Sequence, residues 1–387
     1  MNPKELIQVF EDKFGAGGDL RLFFSPGRVN LIGEHTDYNG GNVFPAALTF
    51  GTYAVVRRRS DGVLKFASLN LTDEVERKLD DLTHVPEDGW TNYPKGMIQM
   101  LKEAGLTVGG AEFLFWGNIP NGAGLSSSAS LEVVTAIAMR GLYGGQASNL
   151  ELALLAQKAE NQFIGVNCGI MDQFAVAMGK KDHAILLDCA TLQFKWVPFQ
   201  VKDYELVIAN SNKKRGLADS KYNERRSQCE EALRRVQAHR DLAAWGAMTE
   251  AEFERVIPWI VDPILVKRAR HAVTENQRTL QAVETLQAGN LLAFGQLMNA
   301  SHCSLRDDYE VTGIELDALV EAAWAQPGVI GSRMTGAGFG GCTVSLVKRK
   351  WVEPFMENVG KLYQKKTGLT PDFYRVAIGD GARELIL

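Results

Sequence analysis

The sequence predicts an α+β protein folded in two lobes. Strand-like and helix-like patterns are mixed along all 387 residues, without the regular repetition of a doubly wound sheet. The length fits two or three domains, and 45% hydrophobic with 23% charged residues is the balance of a globular chain able to bury a sizeable core. Composition marks no boundary; we place it near residue 190, giving lobes 1–190 and 191–387.

The elements follow in order. Thr52–Arg57 and Val63–Ala67 are β-rich runs around Asp61-Gly62, which predicts a hairpin. A helix-like run covers Leu131–Tyr143. Ser148 and Glu151 form a capping-box signature, and Leu152, Leu155, Ala156, Ala159 and Phe163 fall on one apolar stripe, which predicts a helix over 148–163. His183–Cys189 and Glu205–Ala209 read as strands. A long helix runs from Leu265 to about Leu286 and stops near Gly289-Asn290; a second starts at Leu291. Cys342–Val347 returns to strand.

Several function classes are disfavoured at once. A net charge of −4 gives no general basic field for nucleic acid or an anionic membrane. No apolar run approaches the roughly 20 residues that span a bilayer, and the start carries no signal-peptide pattern. Five scattered cysteines (Cys168, Cys189, Cys229, Cys303, Cys342), with no C-x-x-C pair, point to reduced thiols in a cytosolic protein. Glycine is the mild excess: 38 residues, about 10% against the usual ~7%.

Three glycine-centred segments carry the chemistry. In Pro120-Asn121-Gly122-Ala123-Gly124-Leu125-Ser126-Ser127-Ser128-Ala129-Ser130, small residues let backbone N–H groups converge ahead of a helix N-terminus. That is an anion site suited to phosphate, with serine hydroxyls as added donors and a magnesium ligand. It is not a Walker loop, because Gly179-Lys180 and Gly360-Lys361 are not followed by Ser or Thr. Thr335-Gly336-Ala337-Gly338-Phe339-Gly340-Gly341-Cys342 satisfies G-x-G-x-x-G, but a strand follows where a dinucleotide fingerprint needs a helix. It reads as a tight turn whose backbone approaches another segment or a ligand. Gly27-Arg28-Val29-Asn30-Leu31-Ile32-Gly33-Glu34-His35-Thr36-Asp37-Tyr38-Asn39-Gly40-Gly41 sets an arginine, two carboxylates and a histidine between glycine turns. Carboxylates that accept from neighbouring hydroxyls suit a polyhydroxylated ligand, and the spacing does not match a zinc H-E-x-x-H.

Together and in this order, these segments resemble the galactokinase branch of the GHMP kinase superfamily. Asn167–Gln173, Tyr222–Arg226 and Ser301–Glu310 fit as well, so the resemblance runs from about residue 25 to 345. Departures are few: Ser25, Ala337, Gly313 and Lys221 stand where Ala, Gly, Pro and an acid are common. The resemblance implies an N-terminal lobe like ribosomal protein S5 domain 2, a ferredoxin-like C-terminal lobe, and substrates meeting in the cleft between them. It implies transfer of the ATP γ-phosphoryl group to the anomeric hydroxyl of α-D-galactose, opening the Leloir pathway, by a cytoplasmic protein that is a monomer by family default. It implies Asp172 as base with Arg28 beside it, Ser128 and Glu160 as Mg²⁺ ligands, and Glu34, His35, Asp37, Gly169 and Tyr222 as the sugar set. Gly122 to Ser128 would bind ATP, with Trp90 and Tyr93 at adenine or in the core. On a 100° wheel Glu160 lies about 80° from the centre of its helix's apolar stripe, at the border of the core. The alternatives are a kinase for a related sugar and a catalytically silent galactose/ATP sensor. The complete serine stretch, Arg28 and Asp172 favour the enzyme.

Overall fold

The computed structural model describes residues 2–120, 122–213 and 218–386. In chain order the elements are α1 (Pro3–Phe14), β1 (Leu20–Asn30), β2 (Asn42–Val43), β3 (Pro45–Arg58), β4 (Val63–Ser68), β5 (Val75–Lys78), α2 (Asn92–Glu103), β6 (Ala111–Gly117), α3 (Ser127–Tyr143), α4 (Asn149–Lys158), α5 (Met171–Met178), β7 (His183–Asp188) and β8 (Phe194–Pro198). There follow β9 (Tyr204–Asn210), α6 (Ala218–Gln237), α7 (Glu250–Ile260), α8 (Pro263–Gln287), α9 (Leu291–Ser304), α10 (Gly313–Trp324), β10 (Val329–Thr335), β11 (Cys342–Lys348), α11 (Val352–Thr367), β12 (Asp372–Val376) and β13 (Arg383–Leu385).

The first sheet has six strands in the order β13-β1-β3-β6-β4-β5. Its two faces follow the period of two along each strand. Leu22, Val55 and Leu114 point to one face and pack on Leu6 and Phe10 of α1. Their neighbours Phe23, Ala54, Val56, Phe113 and Phe115 point to the other, against α2, α3 and α4. The two strands flanking Asp61-Gly62 exist, but the predicted hairpin does not. The apolar β6 inserts between them, antiparallel to β3 and parallel to β4, while β4 takes β5 as its antiparallel partner. Burying Phe113, Leu114 and Phe115 in the middle of the sheet outweighs the local turn. Asp61 still serves the turn by accepting from the Val63 N–H.

The second sheet, β10-β11-β9-β12, is antiparallel throughout. One face (Val207, Ala209, Val347) packs on α10 and α11. The other (Leu206, Ile208, Val344, Leu346) packs on α8 and α9 and also meets Val29, Leu31 and Phe44 from the first half of the chain. The core is therefore continuous beneath the cleft, and β13 returns from the C-terminus to pair with β1. A small third sheet, β2-β7-β8, completes the fold. Among the described residues no helix is long and apolar enough to cross a membrane.

Two predicted helices are changed at their ends. The helix foreseen from Leu131 starts at Ser127, so Ser128 sits in its first turn. The helix over 148–163 has its capping box from Ser148 and Glu151, but after Lys158 it widens into a π-helical turn, Ala159–Ile164. Such turns are frequent at functional positions. A 100° wheel does not apply there: Glu160 is not at the border but buried.

Candidate active site

Five segments meet at one cavity of about 260 Å³: the end of β1 with the turn after it, the loop before α3, the π-turn with the start of α5, α6, and the glycine turn between β10 and β11. Arg28 reaches it from β1. Its guanidinium donates to both carboxylate oxygens of Asp172 in the first turn of α5, Nε to Oδ1 at 2.8 Å and Nη2 to Oδ2 at 3.0 Å, and Nη1 donates to the Gly124 carbonyl at 2.9 Å. The arginine side chain is 4% exposed and the aspartate 30%, so the carboxylate faces the cavity while its partner is held in the protein. A fork of this kind fixes both orientation and charge.

The loop before α3 lies directly against this pair. The Arg28 N–H donates to the Leu125 carbonyl at 3.1 Å, and a Cβ at Gly27 would come within 2.8 Å of the same oxygen. Gly122 and Gly124 have φ of +70°, and Ser126 is left-handed at +62°, a conformation that costs a non-glycine residue energy. The Ser126 hydroxyl is buried and has no hydrogen-bond partner among the described residues. Asn121 of this loop lies outside those residues. Ser128 and Glu160 line the same cavity, and the Glu160 carboxylate accepts from the Gln173 amide. Burial pushes the Glu160 carboxyl up, and the negative charge of Asp172 adds to this. A hydroxyl and a carboxylate, both hard oxygen donors, thus sit together on the cavity wall.

On the sugar-signature side, Glu34 is buried and its carboxylate accepts from the Asn30 amide and the Gly336 N–H, with Arg333 Nη1 at 3.4 Å. Burial raises its pKa against the pull of Arg333 and Arg28. Asp37 is partly buried, and its pKa is raised to about 6, first by burial and then by the charge of Asp172. Gly169 contributes space: a Cβ there would lie 1.9 Å from Asp37 Oδ2. Tyr222 of α6 lines the same cavity, and its ring centroid is 5.6 Å from that of His35. Lys221 beside it sits over the Phe339 ring at 5.5 Å. Burial and the nearby His271 lower the His35 pKa to about 3, so the ring is neutral.

The glycine turn after β10 approaches protein on both sides. A Cβ at Gly336 would meet the Gly124 carbonyl at 3.0 Å, and one at Gly338 would meet the Val311 carbonyl at 2.3 Å. Glycine lets the turn's backbone pass close to the loop before α3 on one side and to the backbone at Val311 on the other. Trp90 and Tyr93 line a second cavity of about 210 Å³ that shares Ser127 and Ser128 with the first. Trp90 borders this space and packs edge-on against Phe115 at 5.7 Å.

The sequence reading missed a layer behind the sugar side. Arg333, buried on β10, also donates to the Asn30 carbonyl and the Ser301 hydroxyl. Glu275 of α8 receives the Gly33 N–H at 3.0 Å; burial, which would push it up, is outweighed by Arg278, His271 and Arg333, and its pKa is held at about 2. His271 donates to the Glu34 carbonyl at 3.1 Å. The available signal was the placement of His271, Glu275 and Thr279 at four-residue spacing among the buried apolar residues of a long helix.

Comparison with known proteins places these features. Residues 8–58 match the galactokinase galactose-binding signature, 92–180 the GHMP kinases N terminal domain, and 282–359 the GHMP kinases C terminal domain. The chain is 56% identical over 383 residues to a galactokinase of Fusobacterium nucleatum, covering 98% of each. It is 55% identical over 388 residues to one of Exiguobacterium sibiricum, covering 100% of this chain and 99% of the other. A crystal structure of Lactococcus lactis galactokinase complexed with galactose superposes with a TM-score of 0.97 at 48% identity, covering 99% of both chains. A mevalonate kinase of Methanococcus jannaschii, at 17% identity and a TM-score of 0.66 over 94% of this chain and 99% of the other, shares the fold. Matched along its whole length at more than half identity, and carrying the galactose-binding signature where its cavity is built, the chain belongs to the galactokinase family of GHMP kinases.

Proposed function

We propose that this chain phosphorylates α-D-galactose at its anomeric hydroxyl, with ATP as the donor. One observation carries the reading: the Arg28–Asp172 fork stands where the sugar-signature segment and the serine-rich loop border the same cavity. A carboxylate there is within reach of an acceptor hydroxyl on one side and of a phosphate chain on the other.

Asp172 accepts the proton of the anomeric hydroxyl, whose oxygen bonds to the γ-phosphorus as the bond to the β,γ-bridging oxygen breaks and ADP departs. Phosphoryl transfer is loose and asks little of the nucleophile until late, so a carboxylate held in place by Arg28 suffices as the base. The Arg28 guanidinium also stabilises charge near the transferring group. The N–H groups at the start of α3 and the Ser126 hydroxyl bind phosphate oxygens, while Trp90 and Tyr93 border the space for the adenine. Glu34, Asp37 and Tyr222 accept from or donate to sugar hydroxyls, and Gly169 leaves room for the Asp37 carboxylate. Ser128 and Glu160 would hold Mg²⁺, which supplies charge neutralisation on the phosphates. Among the described residues no group of three or more His, Cys, Asp or Glu gathers to hold a metal ion, so phosphate oxygens and water would complete its shell.

The test is ADP release by the purified protein with ATP and magnesium across galactose, glucose, N-acetylgalactosamine, arabinose and galacturonate. Release with galactose that requires magnesium is the expected result. Preference for another sugar moves the substrate, and galactose binding without release turns the reading to a sensor.

A further inference from the structure

We propose that Tyr38, Tyr309 and Cys229 are positioning residues for the sugar pocket: with His35 they form a one-directional hydrogen-bond chain that engages both imidazole nitrogens and thereby fixes the two carboxylates flanking it. The inference rests on the galactose reading for its kinetic test only.

The direction of the chain follows from its end. His35 Nε2 lies 3.2 Å from the Ala337 carbonyl, an oxygen that only accepts, so Nε2 carries the proton. In the neutral ring Nδ1 is then an acceptor, and Tyr38, whose hydroxyl oxygen is 2.8 Å away, donates to it. That commits the Tyr38 proton. Tyr309, at 2.7 Å, therefore donates to the Tyr38 oxygen, and the Cys229 thiol, at 3.1 Å, donates to Tyr309. The end residue is a free cysteine, and burial pushes its pKa up to about 11, so the donor proton is present at neutral pH. Every hydroxyl in the line donates once and accepts once.

The chain matters for the pocket because of where its members sit. Glu34-His35-Thr36-Asp37-Tyr38 places a chain member directly after each sugar-facing carboxylate. His35 has φ of +60°, an uncommon conformation that the surroundings must hold in place. Tyr309 comes from the π-turn after α9, Cys229 from α6 and Ala337 from the glycine turn after β10, so the segment is gripped from three elements of the second half of the chain. Tyr38 also packs nearly perpendicular to Tyr222, with centroids 5.6 Å apart. With both nitrogens engaged, the imidazole has no free polar atom to offer a sugar. On this proposal His35, which lines the cavity, shapes the pocket instead of reading a hydroxyl.

The test is Tyr38→Phe and Tyr309→Phe, which keep the rings and remove the hydroxyls, followed by steady-state kinetics and by nitrogen NMR of the ¹⁵N-histidine-labelled protein. The parent should show His35 as the Nε2–H tautomer. Tyr38→Phe should raise the KM for galactose about tenfold while kcat and the KM for ATP stay within about twofold, and it should shift the His35 Nδ1 resonance. Tyr309→Phe should do the same more weakly. An Nδ1–H tautomer in the parent, a Tyr38→Phe variant with parental galactose KM, or equal losses for galactose and ATP would each overturn the proposal. A parent with no sugar turnover would refute the galactose reading, and the tautomer would still decide the chain.

Discussion

Replacing Asp172 by Asn separates charge from shape at the centre of the cleft. The carboxylate receives two hydrogen bonds from Arg28, at 2.8 and 3.0 Å, and an amide retains only one accepting oxygen while turning an NH₂ toward the guanidinium. Arg28 is 4% exposed and keeps its bond to the Gly124 carbonyl, so its charge loses its counter-ion but not all its partners. Breaking a fully buried pair costs about 3–5 kcal/mol. Asp172 is 30% exposed, and solvent screening brings the expected loss of stability to about 1–2 kcal/mol, which leaves a folded protein. The loss of kcat should be far larger. A general base contributes roughly 10²–10⁴, and a loose transition state puts this case toward the lower end, about 10²–10³. Steady-state kinetics, thermal melting and calorimetric titration of galactose separate the two effects. A folded Asp172→Asn protein that binds galactose and keeps kcat within a factor of ten would refute the assignment of Asp172 as base.

Other expectations follow from the same geometry. With the Asp37 pKa raised to about 6 in the sugar-free protein, its negative charge is lost as pH falls through that value and one oxygen turns from acceptor to donor; kcat/KM for galactose should decline below about pH 6, and a flat profile from pH 5 to 8 would contradict this. Glu132 on α3 is fully buried, and among the described residues neither carboxylate oxygen has a hydrogen-bond partner; burial, reinforced by Glu160, holds its pKa well above the usual range. The folded protein therefore keeps a proton that the unfolded chain releases above about pH 4.3, and stability falls as pH rises from there toward the folded pKa. Glu132→Gln removes that slope, so its melting temperature should exceed the parent's at pH 7–8 and match it near pH 4. Ser128→Ala should raise the magnesium concentration needed for half-maximal rate while leaving galactose binding intact; an unchanged magnesium dependence would remove Ser128 from the metal site.

Local signals were readable in the chain and long-range choices were not. The Ser148 capping box, the start of α9 at Leu291 and the strand after Gly341 are written in neighbouring residues, and each stands in the structure. The pairing of β3 with β6 depends on which apolar strand best fills the middle of a sheet, and Asp61-Gly62 carries no information about that. The π-turn at Glu160 is equally silent, because one extra residue in a turn leaves the apolar period almost unchanged. In the cleft, the family resemblance singled out Arg28, Glu34, Asp37, Ser128, Gly169 and Asp172, and the structure brings them to one cavity. Arg333, Glu275 and the Tyr38–Tyr309–Cys229 line escaped because they act through partners far away in sequence. Glu34 and Arg333 are 299 residues apart, and only the folded chain shows that they touch.

The central claim is tested most directly by identifying the product. Galactose, ATP and magnesium are incubated with the protein, and the mixture is followed by phosphorus NMR with proton correlation. The account predicts one new phosphate monoester coupled to the anomeric proton in the α configuration, formed in step with ADP. Phosphate attached at another carbon, or ATP consumed to free phosphate with galactose unchanged, would contradict the placing of Asp172 against the anomeric hydroxyl.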